Sequence, residues 1–333
     1  MECASVGEAN ADIAGLGIVV ALAIQGGISV ILSAWLFVKD PSMRGLSVFR
    51  TPAFEREADP TFDTRIEAAK SVLRGICDSQ IFAGTALLIA AFVTQDSLTL
   101  YHYHIIYDIT NFTAVSFCAA LLHVSDPSIS TNTKKTAEHN VRIILSAAFS
   151  VLHLTFSIFF GRALERWDWN IPGRCYNTRL VSHSTASHPY VDKIYLGITC
   201  FYMQGILILS LANAVGTDRD VSEVRSENSS GYYMGPGGDA GFAVMAALLQ
   251  YPLHLYSTVA LRTSNEGLLE GDSENNWGFG QVMALVLVVD TFIKCGLALH
   301  ARPGSSEPNQ AQSGYGQPGE IEMPQSISRY TSH

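Results

Sequence analysis

His104, Asp108 and Asn111 are the residues whose types and spacing point most directly to chemistry. They lie in LTLYHYHIIYDITNFTAV (98–115), which leads into the apolar run SFCAALLHV. Steps of four and three put His104, Asp108, Asn111, Val115, Cys118 and Leu122 on one face of a helix, and Tyr101 extends that face outward. An imidazole and a carboxylate four residues apart are within hydrogen-bonding reach of each other. Such a row can bind a polar ligand, relay protons or act as general acid and base, with burial setting the proton affinity of the carboxylate. It can equally be polar glue that locks helices together. Asp108 and His104 are therefore the catalytic candidates, and Tyr101, His104, Asp108 and Asn111 the ligand-binding candidates.

The elements that must position them are membrane helices. Of the 333 residues, 48% are hydrophobic and 15% charged, against about 25% charged in ordinary soluble domains. The charges gather in a few connections and leave long apolar runs between them. Crossing the hydrocarbon core takes about 20 such residues. Seven stretches meet or approach that length: 14–38, 79–93, 100–124, 143–161, 194–216, 240–261 and 279–299. Backbone polar groups cannot be left open in lipid, so these are helices. The fold class expected is an all-α polytopic transmembrane helix bundle of seven helices. Before the second stretch, residues 63–77 form an amphipathic cytoplasmic helix, with Ile66, Ala69, Val72, Leu73 and Ile76 opposite Arg65, Glu67, Lys70 and Arg74. That helix lies on the membrane face or continues into the span. Residues 1–13 read as a short outer N-terminus without the basic flank of a signal peptide. Residues 300–333, rich in Pro, Gly, Ser and Gln, read as a disordered cytoplasmic tail.

Orientation follows from basic residues in the connections. The connection after the first span holds seven, from Lys39 to Arg74; that after the third holds Lys134, Lys135 and Arg142; that after the fifth holds Arg219 and Arg225. On the other side the N-terminus and second connection hold none, the fourth holds Arg162, Arg166, Arg174 and Arg179, and the sixth only Arg262. This favours an outside N-terminus and a cytoplasmic C-terminus. The sequon at Asn228 argues the other way, because this topology puts it in the cytoplasm; the formal sequon at Asn111 falls inside a span.

Further polar side chains inside spans are Gln25, Gln80, His153, Gln204, Asn213, Gln250, His254 and Gln281, each a packing hydrogen bond on its own and together a polar bundle interior. Gly26-Gly27 and Gly15-x-Gly17 read as close helix-packing points. The six cysteines show neither a CxxC pair nor metal spacing. Cys175, in the outer connection RWDWNIPGRCYNTRL, has Cys3 as a possible disulfide partner, since both fall on the outer side. No cofactor or metal motif is present, and no basic block suggests nucleic acid. The expected partners are the lipid bilayer and a small lipophilic or polar ligand.

The segments ADIAGLGIVV, DSQIFAGTALLIAAF, LTLYHYHIIYDITNFT, WNIPGRCY, HPYVDKIYLGITCFY and NNWGFGQ resemble a group of uncharacterised multi-spanning integral membrane proteins of filamentous fungi, over about residues 11–299. The resemblance implies a fungal membrane origin and carries over no catalytic residue. A microbial-type rhodopsin would place a retinal-binding lysine four residues after an aspartate in the seventh helix, and VVDTFIKCG supplies Asp290 and Lys294 at that spacing. The third span lacks the Arg-x-x-Asp-Trp environment of the Schiff-base counter-ion, and no tryptophan lies three residues before Tyr251. Asp290 and Lys294 therefore read first as an ion pair and only remotely as a Schiff-base site. Neither Asp-Arg-Tyr nor Asn-Pro-x-x-Tyr is present, which sets G-protein-coupled receptors aside. The function expected is that of a sensor, receptor-like or transport-associated membrane component. The alternatives are a membrane-embedded enzyme acting on a lipophilic, terpenoid-like substrate by acid/base chemistry and, remotely, a retinal protein.

Overall fold

The computed structural model describes residues 3, 5–39, 60–124, 133–182, 187–223, 236–271, 274 and 277–300. The chain forms an all-α bundle: α1 (Ala11–Ala14), α2 (Leu16–Lys39), α3 (Pro60–Val93), α4 (Leu100–Val124), α5 (Thr133–Leu164), α6 (Tyr190–Glu223), α7 (Pro236–Asn265) and α8 (Phe279–His300). A two-residue strand β1 (Gly7–Glu8) pairs in parallel with β2 (Leu269–Glu270). Among the described residues, six helical segments are long and apolar enough to cross a membrane: Leu16–Lys39, Thr64–Val93, Ala137–Leu164, Tyr190–Ala212, Ala243–Leu268 and Gly280–Leu297. The seventh long helix, α4, has 25 residues but is not among them.

Its polarity explains its place. Helix α4 packs against α2, α3, α5, α6 and α7, while α8 packs on α2 and α3. Every described side chain of α4 is buried. The large apolar side chains left exposed lie elsewhere: Ile31 on α2, Phe82 on α3, Val151 on α5, Phe201 on α6, Leu249 on α7 and Phe292 on α8. A helix bearing His, Asp, Asn and Thr around its circumference would leave polar groups in hydrocarbon on any exposed face. Surrounding it with apolar helices removes that face, so α4 is the axis of the bundle.

Close approach to that axis depends on small residues. A Cβ on Gly26 of α2 would stand 2.8 Å from Cε2 of Tyr251 on α7, and the Tyr251 hydroxyl donates to the Ala23 carbonyl. One on Gly17 would stand 2.7 Å from Cβ of Gln281 on α8, whose Oε1 accepts the Gly17 N–H at 3.0 Å. Gln25 donates to Thr291 at 3.3 Å, and Ser116 of α4 donates to Gln80 of α3 at 2.5 Å.

A cap closes one end. The Gly173 N–H donates to the Ser5 carbonyl at 3.0 Å, and the Gly173 carbonyl accepts from Leu100 N–H at 2.9 Å, at the start of α4. Gly173 follows Pro172 with φ +76°, the conformation that a Pro-Gly turn requires and that a side chain resists. Val6 N–H donates to the Leu268 carbonyl at 3.1 Å, extending the β1–β2 pairing. Cys3 and Cys175 form a disulfide with Cα atoms 5.7 Å apart. N-terminus, α5–α6 connection and α7–α8 connection thus make one layer over α4.

Several boundaries differ from the sequence-based expectation. Of the two placements open for the amphipathic segment 63–77, it takes the second and continues into the span, because α3 runs unbroken from Pro60 to Val93. Ile66, Val72, Leu73 and Ile76 bury their face in the bundle, and Asp78, where the segment meets the span, is held bidentately by Arg142 of α5 at 2.5 and 2.8 Å. Helices α5, α6 and α7 extend beyond the apolar runs 143–161, 194–216 and 240–261, since hydropathy marks only the part suited to lipid. The short N-terminal segment carries β1 and leads into α1. The expected tail from residue 301, and Asn228, lie outside the described residues.

Gly26→Ala should lower stability by about 1–3 kcal/mol through overpacking against Tyr251. Gly197→Ala on α6, where a Cβ meets no described atom within 4 Å, should leave it unchanged or raised. Thermal unfolding in detergent separates them, and equal melting temperatures would contradict this packing.

Candidate functional site

Asp108 lies in the middle of α4 with no exposed surface. Its Oδ1 accepts a hydrogen bond from the Tyr195 hydroxyl of α6 at 2.7 Å and faces Nδ1 of His254 on α7 at 2.9 Å. Tyr195 and His254 are themselves 2.8 Å apart. The Tyr195 proton is given to the carboxylate, so Nδ1 of His254 carries a proton that the same two oxygens accept. On the other oxygen, Oδ2, His104 brings Nε2 to 3.5 Å, one helical turn before Asp108. Three helices thus converge on one carboxylate. Pro252, two residues before His254, cannot donate an N–H to the preceding turn of α7.

The polar chain continues toward the cap. His104 Nδ1 lies 2.9 Å from the Tyr176 hydroxyl, which donates to Asp192 Oδ1 at 2.8 Å. His188 Nδ1 bonds the second oxygen of Asp192, four residues on. Its Nε2 is 3.0 Å from the hydroxyls of both Thr178 and Ser182. Burial pushes the Tyr176 phenol well above its ordinary value, and the Asp192 carboxylate adds to the effect, so Tyr176 stays a neutral hydroxyl. Asp192 sits in the first turn of α6, where a carboxylate is favoured by the helix dipole. Trp167 stacks on His188 with ring centroids 5.6 Å apart and shields this end.

A second cluster forms under the cap. Glu274 accepts from Tyr101 at 3.2 Å and from Arg262 at 3.3 Å, and lies 3.1 Å from Nε2 of His102. Thr99 meets the His102 ring at 2.8 Å and caps the first turn of α4. The buried Glu274 ties the α7–α8 connection to α4.

The sequence candidates therefore divide. His104 and Asp108 meet. Tyr101 does not join them but bonds Glu274. Asn111 turns its amide back to the Tyr107 carbonyl at 2.8 Å. Among the other polar residues, only His254 reaches Asp108 directly. His153 stacks against Tyr107 at 5.6 Å and bonds Gln204, 3.2 Å away; the Asn213 side chain lies outside the described residues. Asp290 and Lys294 pair at 2.6 Å, about half exposed, beside a 450 Å³ groove between α3 and α8. They belong to the outer surface and not to the Asp108 cluster.

Sequence reasoning missed Tyr195, Tyr176, Asp192, His188 and Glu274. A signal existed for some of them: His188, Asp192 and Tyr195 recur at steps of four and three around the start of α6. Nothing in the sequence marks Tyr176 or Glu274, which come from connections. Among the described residues no group of three or more His, Cys, Asp or Glu side chains is arranged to hold a metal ion.

Comparison of the chain with protein-family models, with curated proteins and with solved structures finds no match.

Tyr195→Phe removes a donor to a buried carboxylate and should cost about 1–3 kcal/mol. Tyr190→Phe, at an exposed position, should cost nothing measurable. Combined with Asp108→Asn, the Tyr195→Phe loss should shrink, because the two share one bond. Strict additivity in a thermal-unfolding cycle would show that they do not interact.

Proposed function

We propose that this multi-pass membrane protein is a sensor or transport-associated component whose working centre is Asp108, accepting a proton or a small polar ligand at the axis of the bundle. The observation that carries this reading is an incomplete set of hydrogen bonds. Among the described residues, His104 Nε2, Asp108 Oδ2 and His254 Nε2 are all buried without a hydrogen-bond partner, the first two facing each other at 3.5 Å. Helix glue favours closed networks, since each unmet buried polar atom costs about 1–3 kcal/mol. Open valences gathered around one carboxylate suit a centre that changes its protonation or its ligand.

The same groups favour the second reading, a membrane-embedded enzyme acting on a lipophilic substrate. A carboxylate flanked by two imidazoles and a phenol is equipped for general acid and base chemistry. Product formation from a lipid-soluble substrate, lost in Asp108→Asn with folding intact, separates an enzyme from a sensor. The retinal reading draws no support from Lys294, whose ammonium is paired with Asp290 beside an outer groove.

For orientation we propose the N-terminus outside and the C-terminus in the cytoplasm. The balance of basic residues supports it, and so does the Cys3–Cys175 disulfide, because such bonds persist in oxidising compartments.

Two outcomes are expected. In a ligand screen read by thermal stability, compounds that stabilise the parent should lose their effect on Asp108→Asn while the unliganded variant still unfolds cooperatively. Stabilisation unchanged by Asp108→Asn would remove the site from this position. In intact cells, a membrane-impermeant maleimide applied after external reduction should label Cys3 or Cys175. Labelling seen only after permeabilisation would reverse the orientation.

A further inference from the structure

We propose that Asp108 exchanges its proton with Asp192, at the capped end of the bundle, through a built relay of His104 and Tyr176. The inference rests on the reading of Asp108 as a working centre and adds the route by which it is served.

The geometry makes the route continuous. The successive separations are 3.5 Å from Asp108 Oδ2 to His104 Nε2, 2.9 Å from His104 Nδ1 to Tyr176, and 2.8 Å from Tyr176 to Asp192 Oδ1. His188 Nδ1 bonds the second oxygen, Oδ2, and holds this terminal carboxyl group in place. Each intermediate member can receive a proton on one side and release one on the other, as a relay requires. An imidazole does so through its two nitrogens and a phenol through its oxygen, and the carboxyl of Asp192 stores the proton at the end. The side chains of His104, Asp108, Asp192 and His188 are all less than a tenth exposed. The outer end is less enclosed: His188 meets the hydroxyls of Thr178 and Ser182, and its neighbour Ser187 is exposed.

Donor directions fix the sense of the first transfer. Tyr176 gives its proton to Asp192, so its oxygen accepts from Nδ1–H of His104, and the Nε2 lone pair of His104 faces Asp108 Oδ2. Among the described residues, neither of these two atoms has a hydrogen-bond partner. One proton fits between them. When it resides on Asp108 Oδ2, outward transfer proceeds in three moves. The Asp108 O–H bond breaks as an N–H forms at His104 Nε2. The Nδ1 proton of His104 passes to the Tyr176 oxygen, and the former Tyr176 proton passes to Asp192 Oδ1. Asp108 ends as a carboxylate and Asp192 as a neutral acid, while His104 and Tyr176 each gain and lose one proton. The reverse order returns the proton.

Other titratable groups touch the route at stated points. His254 of α7 and Tyr195 of α6 hold Asp108 Oδ1. The Tyr195 ring also lies 5.7 Å from that of His104. Tyr107 of α4 lies 6.4 Å from the His254 ring and stacks on His153 of α5. Under the same cap, Arg262 of α7 pairs with Glu274.

The test uses the full chain in lipid nanodiscs, with the infrared C=O stretch of a protonated carboxylic acid assigned to Asp108 by its loss in Asp108→Asn. After a rapid pH step the band should change in the parent. In Tyr176→Phe, which keeps the ring and loses the hydroxyl, the rate should fall by about tenfold or more. In Asp192→Asn, which keeps hydrogen bonds but cannot store the proton, it should fall similarly. Either variant suffices if the other does not fold. A merely structural role would shift the equilibrium midpoint or the stability without slowing the exchange selectively. A band that titrates at parental rates in a folded variant overturns the relay and leaves the Asp108 reading standing. A band absent at every pH overturns both.

Discussion

A carboxylate at membrane depth has to be enclosed and met by donors, and the architecture follows from that constraint at Asp108. Left in hydrocarbon, a charged side chain costs at least about 2.5–3.5 kcal/mol at the centre of an isolated helix. The chain answers by enclosing the whole of α4 and not only one of its faces. Among the described residues, six apolar segments lie around or beside it and carry most of the exposed large apolar side chains, whereas every described side chain of α4 is buried. Tyr195 and His254 then bring α6 and α7 to one oxygen of Asp108, and His104 approaches the other. Helix identity, helix order and site geometry are one arrangement.

Enclosure would isolate the carboxylate if the bundle were apolar up to its end. The cap prevents this. It is built from segments far apart in sequence: Ser5, Gly173 and Leu100 share backbone hydrogen bonds, β1 pairs with β2, and Cys3 is joined to Cys175 across 172 positions. These ties hold Tyr176 and His188 over the start of α6. Glu274 does the same over the start of α4, through Tyr101 and His102. The polar groups therefore form two columns beneath one lid, one descending to Asp108 and one ending at Glu274. Small residues allow the tight core this needs, as where Gly26 lies under Tyr251.

The sequence made the architecture legible because its signals are local. Runs of about 20 apolar residues specify helices that need no partner to be recognised, and the α4 limits 100–124 coincide with the expected span. The pairing of His104 with Asp108 was legible for the same reason, being a four-residue step on one helix. What could not be read depends on long-range contacts. Tyr101 shares the expected face of Asp108, yet Glu274, 173 positions away, takes its hydroxyl. Asn111 has the right spacing but satisfies its amide within its own helix. The unbroken α3 was one of two readings open in the sequence, and Arg142 of α5, which neutralises Asp78 at the join, comes from a contact the sequence does not show. The full enclosure of α4 left one sequence trace, polar residues distributed all round the helix, including His102, Thr110, Thr113 and Ser116.

The enclosure of α4 is the claim on which the rest stands, and labelling from within the lipid tests it most directly. A photoreactive carbene reagent dissolved in the bilayer should modify exposed positions such as Ile198 and Phe201 on α6 and Phe292 on α8, and leave peptides spanning residues 100–124 unmodified in the folded protein. Modification of α4 at a level comparable to α6 would mean that Asp108 shares a helix with a lipid-facing surface, and would contradict a bundle built around an enclosed carboxylate.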